Sequence, residues 1–460
     1  MTDPLVMPTA LPINADSTAA FSHALFWIAG QRVTAEDLRQ ANVAFGQQLL
    51  RHDHERNIRP RCLCRDPGVD MGIRHRAGTY YLARLPNSGP KHHPACTSFD
   101  LATDQSGRAS YTATAIETDD SGVTRVHLDA PLTRSTGQLR TKPIEAVKER
   151  PVGPRQARQK TSLLGLLHHL WSDAHLNRWY PKMQGKRGWW TVHDCIRDLA
   201  TRIVIQRALL SDRLWVTQNY RGKPDTRRDA FVTFMQRVTR RDASVQHLAL
   251  LLADIHSLKP TAHGGRLTLN ELRDIPFWLN REIYADVTRS FVRPLHVLNQ
   301  SESSDRVVGL FAVGPSAKHD DQFYIHDAGL MHVSSRFIPL ESSYEGQVES
   351  ALAAQSRAYI KPLRYDAHVD TVFPDFFLLD AGEAHLPMEI YGFTGLASYE
   401  QRKREKMRHY EQSSEPFWYW DVSMTEDFPA FPPQVQRRRA DPDAPSQKQA
   451  TSVRAPTTAP

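Results

Sequence analysis

An acid set inside a run of bulky apolar residues leaves a chain few ways to fold, and this sequence places two such acids close together near its C-terminal end. Phe373-Pro-Asp-Phe-Phe-Leu-Leu is a short apolar run behind a proline, which reads as a buried strand entered at Pro374-Asp375. Pro387-Met-Glu-Ile-Tyr-Gly reads as a second strand with Glu389 in its middle. A carboxylate there is expensive to desolvate unless something positive meets it. Upstream, Ser343-Tyr-Glu-Gly-Gln-Val-Glu reads as a helix carrying Glu345, with Glu349 one turn further on. Downstream, Ser398-Tyr-Glu-Gln-Arg-Lys-Arg-Glu-Lys-Met-Arg-His-Tyr reads as a basic amphipathic helix on which Tyr399, Lys403, Lys406 and Tyr410 share a stripe. Trp418-Tyr-Trp-Asp-Val follows as a closing strand whose rings are expected in the core. Asp375 and Glu389 on adjacent strands could share a hard divalent cation, which takes oxygen ligands and suits phosphate chemistry. Either acid could instead cap a strand or pair with an arginine.

In this order Glu345, Pro374-Asp375, Glu389-Ile390-Tyr391 and the basic helix resemble the PD-(D/E)XK nuclease superfamily, with its helix, strand, strand and helix. The resemblance implies that Asp375 and Glu389 bind Mg2+, with Glu345 as the upstream acid of the metal shell. Tyr391 stands where that superfamily carries a lysine that orients the attacking water. Some members supply the basic group from the following helix, which makes Lys403 and Lys406 the candidates here. A solvated basic face, with lysine stems lying on apolar surface, is the alternative for both.

A second constellation lies near the start: Arg61-Cys62-Leu-Cys64 and Lys91-His92-His93-Pro-Ala-Cys96. The residues between them alternate as a hairpin turned at Ala77-Gly78, which would bring the two ends together. Thiolates and imidazole are the ligands that structural zinc prefers, so Cys62, Cys64, His93 and Cys96 are the expected zinc set, with His92 as the alternative to His93. Buried thiols beside surface histidines are the metal-free alternative. Cys195, alone in a helical run, belongs in the core.

The rest of the chain divides around these two features. The 460 residues leave room for two or three domains, and a formal charge of +7 suits a polyanionic partner. No run approaches a membrane span and the start lacks a secretory signal pattern, so a cytoplasmic protein with reduced thiols is expected. Residues 1–16 and the tail 429–460 read as disordered. Residues 17–132 read as an N-terminal domain holding the zinc unit at 61–97, with a helix opening at Thr34 and burying Leu38, Ala41, Phe45 and Leu49. The basic stretch 133–161 reads as a linker. Residues 162–307 read as a helical and mixed middle domain: a helix from Ser162, a basic turn before Trp189 and Trp190, a long helix from Val192 to Leu210, strands at Ala230 to Val238, Val245 to Leu258 and Gly265 to Leu269, and a helix from Pro276 through Phe291. Residues 308–428, opening with strands at Arg306 to Val313 and Gln322 to Ser334, complete a C-terminal nuclease-like domain. There is no phosphate-cradling glycine loop or dinucleotide fingerprint, which leaves a nucleotide-driven motor without support.

Arg61-Cys-Leu-Cys64, His92-His-Pro-Ala-Cys96, Leu163-Leu-Gly-Leu-Leu-His-His-Leu-Trp171, Gly185-Lys-Arg187 and Leu363-Arg-Tyr-Asp-Ala367 are together similar to a bacterial family of unknown function carried on plasmids and integrative elements. That resemblance spans most of Arg61 to Val422. The expected fold class is α+β and multidomain: a small zinc-binding unit, a mixed middle and a C-terminal α/β restriction-endonuclease-like domain. The expected activity is metal-dependent hydrolysis of DNA phosphodiester bonds. The alternative is an inactive DNA-binding accessory protein that keeps the nuclease scaffold.

Overall fold

The computed structural model describes residues 25–35, 37–38, 43–76, 78–85, 88–94, 96, 98–101, 115–119, 123–129, 131–135, 161–218, 224–242, 245–300, 303–316, 322–363, 373–382, 384–392, 397–413, 415–425 and 427–435. The expectations for residues 1–16, for most of the linker and for 436–460 fall outside them. Thr133–Ser135, which the linker was expected to include, forms a strand paired with Val245–His247.

The N-terminal unit is a five-stranded sheet in the order 31–34, 25–28, 61–62, 69–76, 79–84. In Leu25–Ile28 the alternation is clean: Phe26 and Ile28 are buried while Leu25 and Trp27 face solvent. The expected hairpin at Ala77-Gly78 is present, with Gly78 at a φ of +79° that the tight turn requires. The helix expected to open at Thr34 begins at Val43 instead. Thr34 and Asp37 do exchange the hydrogen bonds of a capping pair, but they close a turn at the end of a strand. Phe45 is 39% exposed, and Leu49 and Leu50 bury the face that packs on the sheet.

The middle of the chain forms a closed barrel. Strand Ala249–Thr261 pairs with Gly264–Leu269 at one end and with Arg306–Pro315 at the other, bending at a bulge between Ile255 and Ser257. Phe277–Asn280 and Phe323–Val333 complete the ring, so five strands close in the order first, second, third, fifth, fourth. Leu251, Leu267, Phe277, Phe311 and Phe323 fill the interior. Leu250, Leu252, Leu310 and Ala312 alternate outward, onto helices Leu163–Asp173 and Trp189–Ala200. Gly329 lets the first of these helices lie close, since a Cβ there would sit 2.5 Å from the Leu164 nitrogen.

Several elements of this region differ from the sequence reading. Ala230 to Val238 belongs to a helix, Pro224–Val238, whose buried Phe231, Phe234 and Met235 follow helical spacing. The helix expected from Val192 to Leu210 ends at Ala200, and the β-branched Ile203-Val-Ile205 becomes a strand. Phe277–Asn280 is a barrel strand rather than a helix start; the helix begins at Arg281, where the Asn280 side chain accepts from the Ile283 N–H at 2.8 Å. Trp189 is buried and donates to the Thr217 carbonyl, whereas Trp190 is 51% exposed.

Beside the barrel, burial and then the charge of Asp254 push the Glu271 carboxyl up to about 7. A carboxyl whose folded pKa lies above its unfolded value favours the fold in its protonated form. Its contribution is therefore full below the unfolded pKa of about 4.5 and is lost as pH rises through about 7. Denaturant titrations from pH 5 to 8 should show wild type losing about 2 kcal/mol relative to Glu271→Gln, a value discounted for partial solvent contact. Parallel curves for the two proteins would contradict this.

The C-terminal sheet runs in the order 418–421, 386–391, 376–378, 359–360, 178–179. Its last strand, Arg178–Trp179, comes from the middle of the sequence. One face packs Phe376, Leu378 and Met388 against Val348 and Leu352 of helix Ser343–Ala354. On the other face Phe377, Leu379, Ile360 and Tyr180 share a core with Cys62, Cys96 and Phe99 of the N-terminal unit. Buried Arg178 locks that junction, donating to the Phe99 carbonyl and to Asp100 at 2.7 Å. The tail expected to be disordered from 429 is anchored over residues 429–435: Phe431 is buried, Arg357 donates to the Pro432 carbonyl, and the Val435 N–H donates to Asp380.

Candidate functional site

Two sites emerge, one sulfur-rich and one acidic. Cys62 ends a short strand, Cys64 follows it in a turn, and the hairpin of residues 69–84 returns the chain so that His92 and Cys96 face them. The ligand atoms of Cys62, Cys64, His92 and Cys96 all lie within 4.8 Å of one another. Cys62 Sγ is 3.7 Å from Cys96 Sγ, and His92 Nδ1 is 3.4 Å from Cys64 Sγ and 3.8 Å from Cys96 Sγ. A tetrahedron with metal–sulfur bonds of about 2.3 Å has edges of about 3.8 Å, so these spacings suit zinc. His93, the histidine favoured by its spacing to Cys96, is outside the cluster; its backbone N–H donates to Cys64 Sγ at 3.4 Å. Ser98 N–H does the same for Cys96 Sγ. The two-residue gap misled because the 3-10 turn Gly89–Lys91 swings His92, not His93, under the strand.

Three thiols this close compete for protons. Hydrogen bonds from Cys62 and Cys96 hold Cys64 well below the usual thiol range. Cys62 is pushed up by the hydrogen bonds of Cys64 and Cys96 and by burial. A divalent cation removes that conflict by stabilising all three thiolates.

The acidic site lies at the entrance of strand Phe376–Leu378. Its register, with Phe376 opposite Met388, puts Asp375 opposite Glu389 on the neighbouring strand. The Asp375 N–H donates to the Met388 carbonyl at 2.9 Å, and its Oδ2 accepts from the Ile390 N–H at 2.7 Å, so the aspartate straddles Glu389. Glu389 is fully buried. Lys406, from helix Ala397–Ser413, donates to Glu389 Oε2 at 2.5 Å and to the Phe373 carbonyl at 2.8 Å, and the Tyr410 hydroxyl donates to Oε1 at 3.0 Å. Burial pushes the Glu389 carboxyl up to about 7 against the pull of Lys406, with Asp375 adding to the rise. The tyrosine is likewise raised, by burial and by the facing Glu389.

The remaining candidates divide. Lys403 pairs with Asp421 at 2.5 Å and lies over the Tyr391 ring. Glu345 sits in the helix that covers the opposite face, where its Oε2 meets Lys361 Nζ at 3.1 Å and the Glu341 N–H at 2.8 Å. Burial pushes Glu345 up to about 7; Lys361 opposes this and Asp375 adds to it, which places Asp375 within electrostatic reach of both other acids. Among the described residues, however, the three acids do not gather within 4.8 Å as the Cys/His group does. Glu349 is committed elsewhere, held by Arg336 at 2.8 and 2.6 Å and by the Tyr359 hydroxyl at 2.6 Å.

Lys361 is the residue that the sequence reading missed. Burial works against its ammonium, but Glu345, Glu341 and Asp375 hold it above the ordinary lysine range. The signal was a single lysine in the apolar stretch Tyr359-Ile-Lys-Pro-Leu363, which only a buried acid could make tolerable.

A family model described as a protein of unknown function, DUF1173, matches residues 32–423. Neither the curated proteins nor the solved structures give a match. Among the described residues no helix is long and apolar enough to cross a membrane.

Proposed function

The chain belongs to the DUF1173 family, whose description assigns no activity, and we propose that it is a Mg2+-dependent DNA nuclease with a zinc-stabilised N-terminal unit. The observation that carries this reading is Lys406 seated on Glu389 at 2.5 Å, with Asp375 opposite. It supplies from the following helix the basic group that Tyr391 cannot. The order helix 343–354, strand 376–378, strand 386–391, helix 397–413 supports the PD-(D/E)XK resemblance. Two carboxylates on facing strands beside the Phe373 carbonyl form an all-oxygen donor set, which suits Mg2+. Asp375 and Glu389 would hold the ion, with Glu345 as the outlying acid.

When bound, such an ion would stabilise negative charge on a phosphoryl oxygen. The work of the chain's own residues follows from their surroundings. Lys406 keeps an ammonium beside the acids, placed to orient a water for in-line attack. Tyr410 fixes the rotamer of Glu389, and buried Phe376 and Met388 behind the pair keep bulk water from screening it. The positive charge of the chain suits DNA as the partner.

Purified protein is expected to cleave DNA with Mg2+ or Mn2+. Asp375→Ala and Glu389→Ala should each lower the rate by at least about 100-fold with the circular dichroism spectrum retained. Equal cleavage by wild type and both variants rules the nuclease out. One observation favours a second reading, an inactive DNA-binding scaffold: both Glu389 oxygens are already taken by Lys406 and Tyr410. Calorimetric titration with Mn2+ separates the two, since the scaffold would take up no ion that Asp375→Ala abolishes.

A further inference from the structure

The barrel carries a row of side chains that neither the acidic site nor the Cys/His cluster uses. Strand register sets Lys259 opposite Arg266, Arg266 opposite Trp278, and Trp278 opposite Tyr324. Interior residues alternate with these positions: Leu267, Phe277, Leu279, Phe323 and Ile325 fill the barrel core. The row therefore runs across the outside of four adjacent strands, which at about 4.8 Å per strand spans about 14 Å. Lys259 and Arg266 are exposed, and Trp278 and Tyr324 are half-buried. The Arg266 guanidinium lies 5.9 Å from the centre of the Trp278 ring. Neither Lys259 nor Arg266 has an acidic partner among the described residues.

We propose that this row is a binding platform for single-stranded DNA, with bases stacked on Trp278 and Tyr324 and the phosphates between them met by Arg266 and Lys259. Aromatic rings flanked by unpaired cations are the pairing such a strand calls for: every base has a face to stack, and every linkage carries a charge. A duplex keeps its bases stacked on one another and offers neither ring a partner. The geometry also argues against a purely structural row. A structural aromatic pair would be sealed by apolar neighbours, whereas this one ends at two solvated cations on one side. Only the choice of DNA over RNA rests on the proposed nuclease reading; the platform stands on the barrel whether or not the chain cleaves.

The test is fluorescence anisotropy on the full chain in chelator, with a labelled single strand of mixed sequence about 15 nucleotides long, the same strand as duplex, and its RNA counterpart. Wild type should prefer the single-stranded DNA. Trp278→Ala and Tyr324→Ala should each weaken that binding about 10-fold or more. Arg266→Ala, at an exposed position, should weaken it and lower the slope of log K against log salt by about 0.7. If Arg266→Ala and Tyr324→Ala bind as wild type while the protein cleaves DNA, the platform is overturned and the nuclease reading survives. If single strands bind in this way and no cleavage occurs, the nuclease reading falls and the platform survives. Equal affinity for the duplex overturns the platform, and tighter binding of the RNA overturns the assignment to DNA.

Discussion

Cys96→Ser, or metal removal from wild type by a strong chelator, should unfold the N-terminal sheet and loosen the C-terminal one with it. The Cys/His cluster ties a two-residue strand to a loop that returns from a hairpin, and structural zinc contributes on the order of 10 kcal/mol to such units. Without a cation the three thiols, Cys62 and Cys96 at 3.7 Å and Cys64 within 4.8 Å of both, must share protons instead of holding the two chain ends together. The effect should not stop there, because Cys62 and Cys96 belong to the same core as Ile360, Phe377 and Leu379. Hydrogen exchange should therefore rise both at 61–84 and at 359–379, and bound zinc measured by mass spectrometry should fall from one per chain to none. His92→Ala should reproduce the loss and His93→Ala should not, since His92 and not His93 belongs to the group of ligand atoms. A chelated protein with unchanged exchange at 359–379 would show the two sheets to be energetically independent.

How far the chain could be read from its sequence depended on whether local pattern or distant pairing decided each element. The helix, strands and basic helix from Ser343 to Ser413 were legible because each has its own boundary residues: Ser342 caps the first, and Pro374 and Pro387 precede or open the strands. The cysteines were legible because few other roles explain their clustering, but choosing between His92 and His93 needed the turn geometry. Ala230 to Val238 was misread because Phe231, Val232, Phe234 and Met235 satisfy both periods, and only burial of the helical face decides. Barrel strands at Val245 to Leu258, Gly265 to Leu269, Arg306 to Val313 and Gln322 to Ser334 were legible, but the barrel's closure was not. Its closure depends on Ala249–Thr261 pairing with Arg306–Pro315 across two intervening helices, a contact that no window of sequence contains. Arg178, which ties the C-terminal sheet to Asp100, and Lys361, which meets Glu345, were missed for the same reason: each is tolerable only because of a partner far away in the chain.

The two lysines of helix 397–413 give the sharpest contrast, because Lys406 holds Glu389 and Lys403 holds Asp421. Lys406→Met should lower cleavage by at least about 100-fold and destabilise the fold by about 3–5 kcal/mol, the cost of leaving a buried charge without its partner. Glu389 is fully buried, so with Lys406 gone its carboxyl has only Tyr410 and must take up a proton. Adding Glu389→Gln should recover most of that stability, because a neutral amide still accepts from Tyr410 and needs no cation. The coupling between the two positions in denaturant titrations should reach at least about 2 kcal/mol. Activity should not return with stability, which separates a lost site from a weakened fold. Lys403→Met leaves Asp421 with the Ser423 N–H and hydroxyl as donors, so it should cost less stability than Lys406→Met and leave cleavage near wild type. If Lys403→Met abolishes cleavage and Lys406→Met preserves it, the basic group has been assigned to the wrong turn of the helix. In that case the contact between Lys406 and Glu389 would be an ion pair that serves the fold alone.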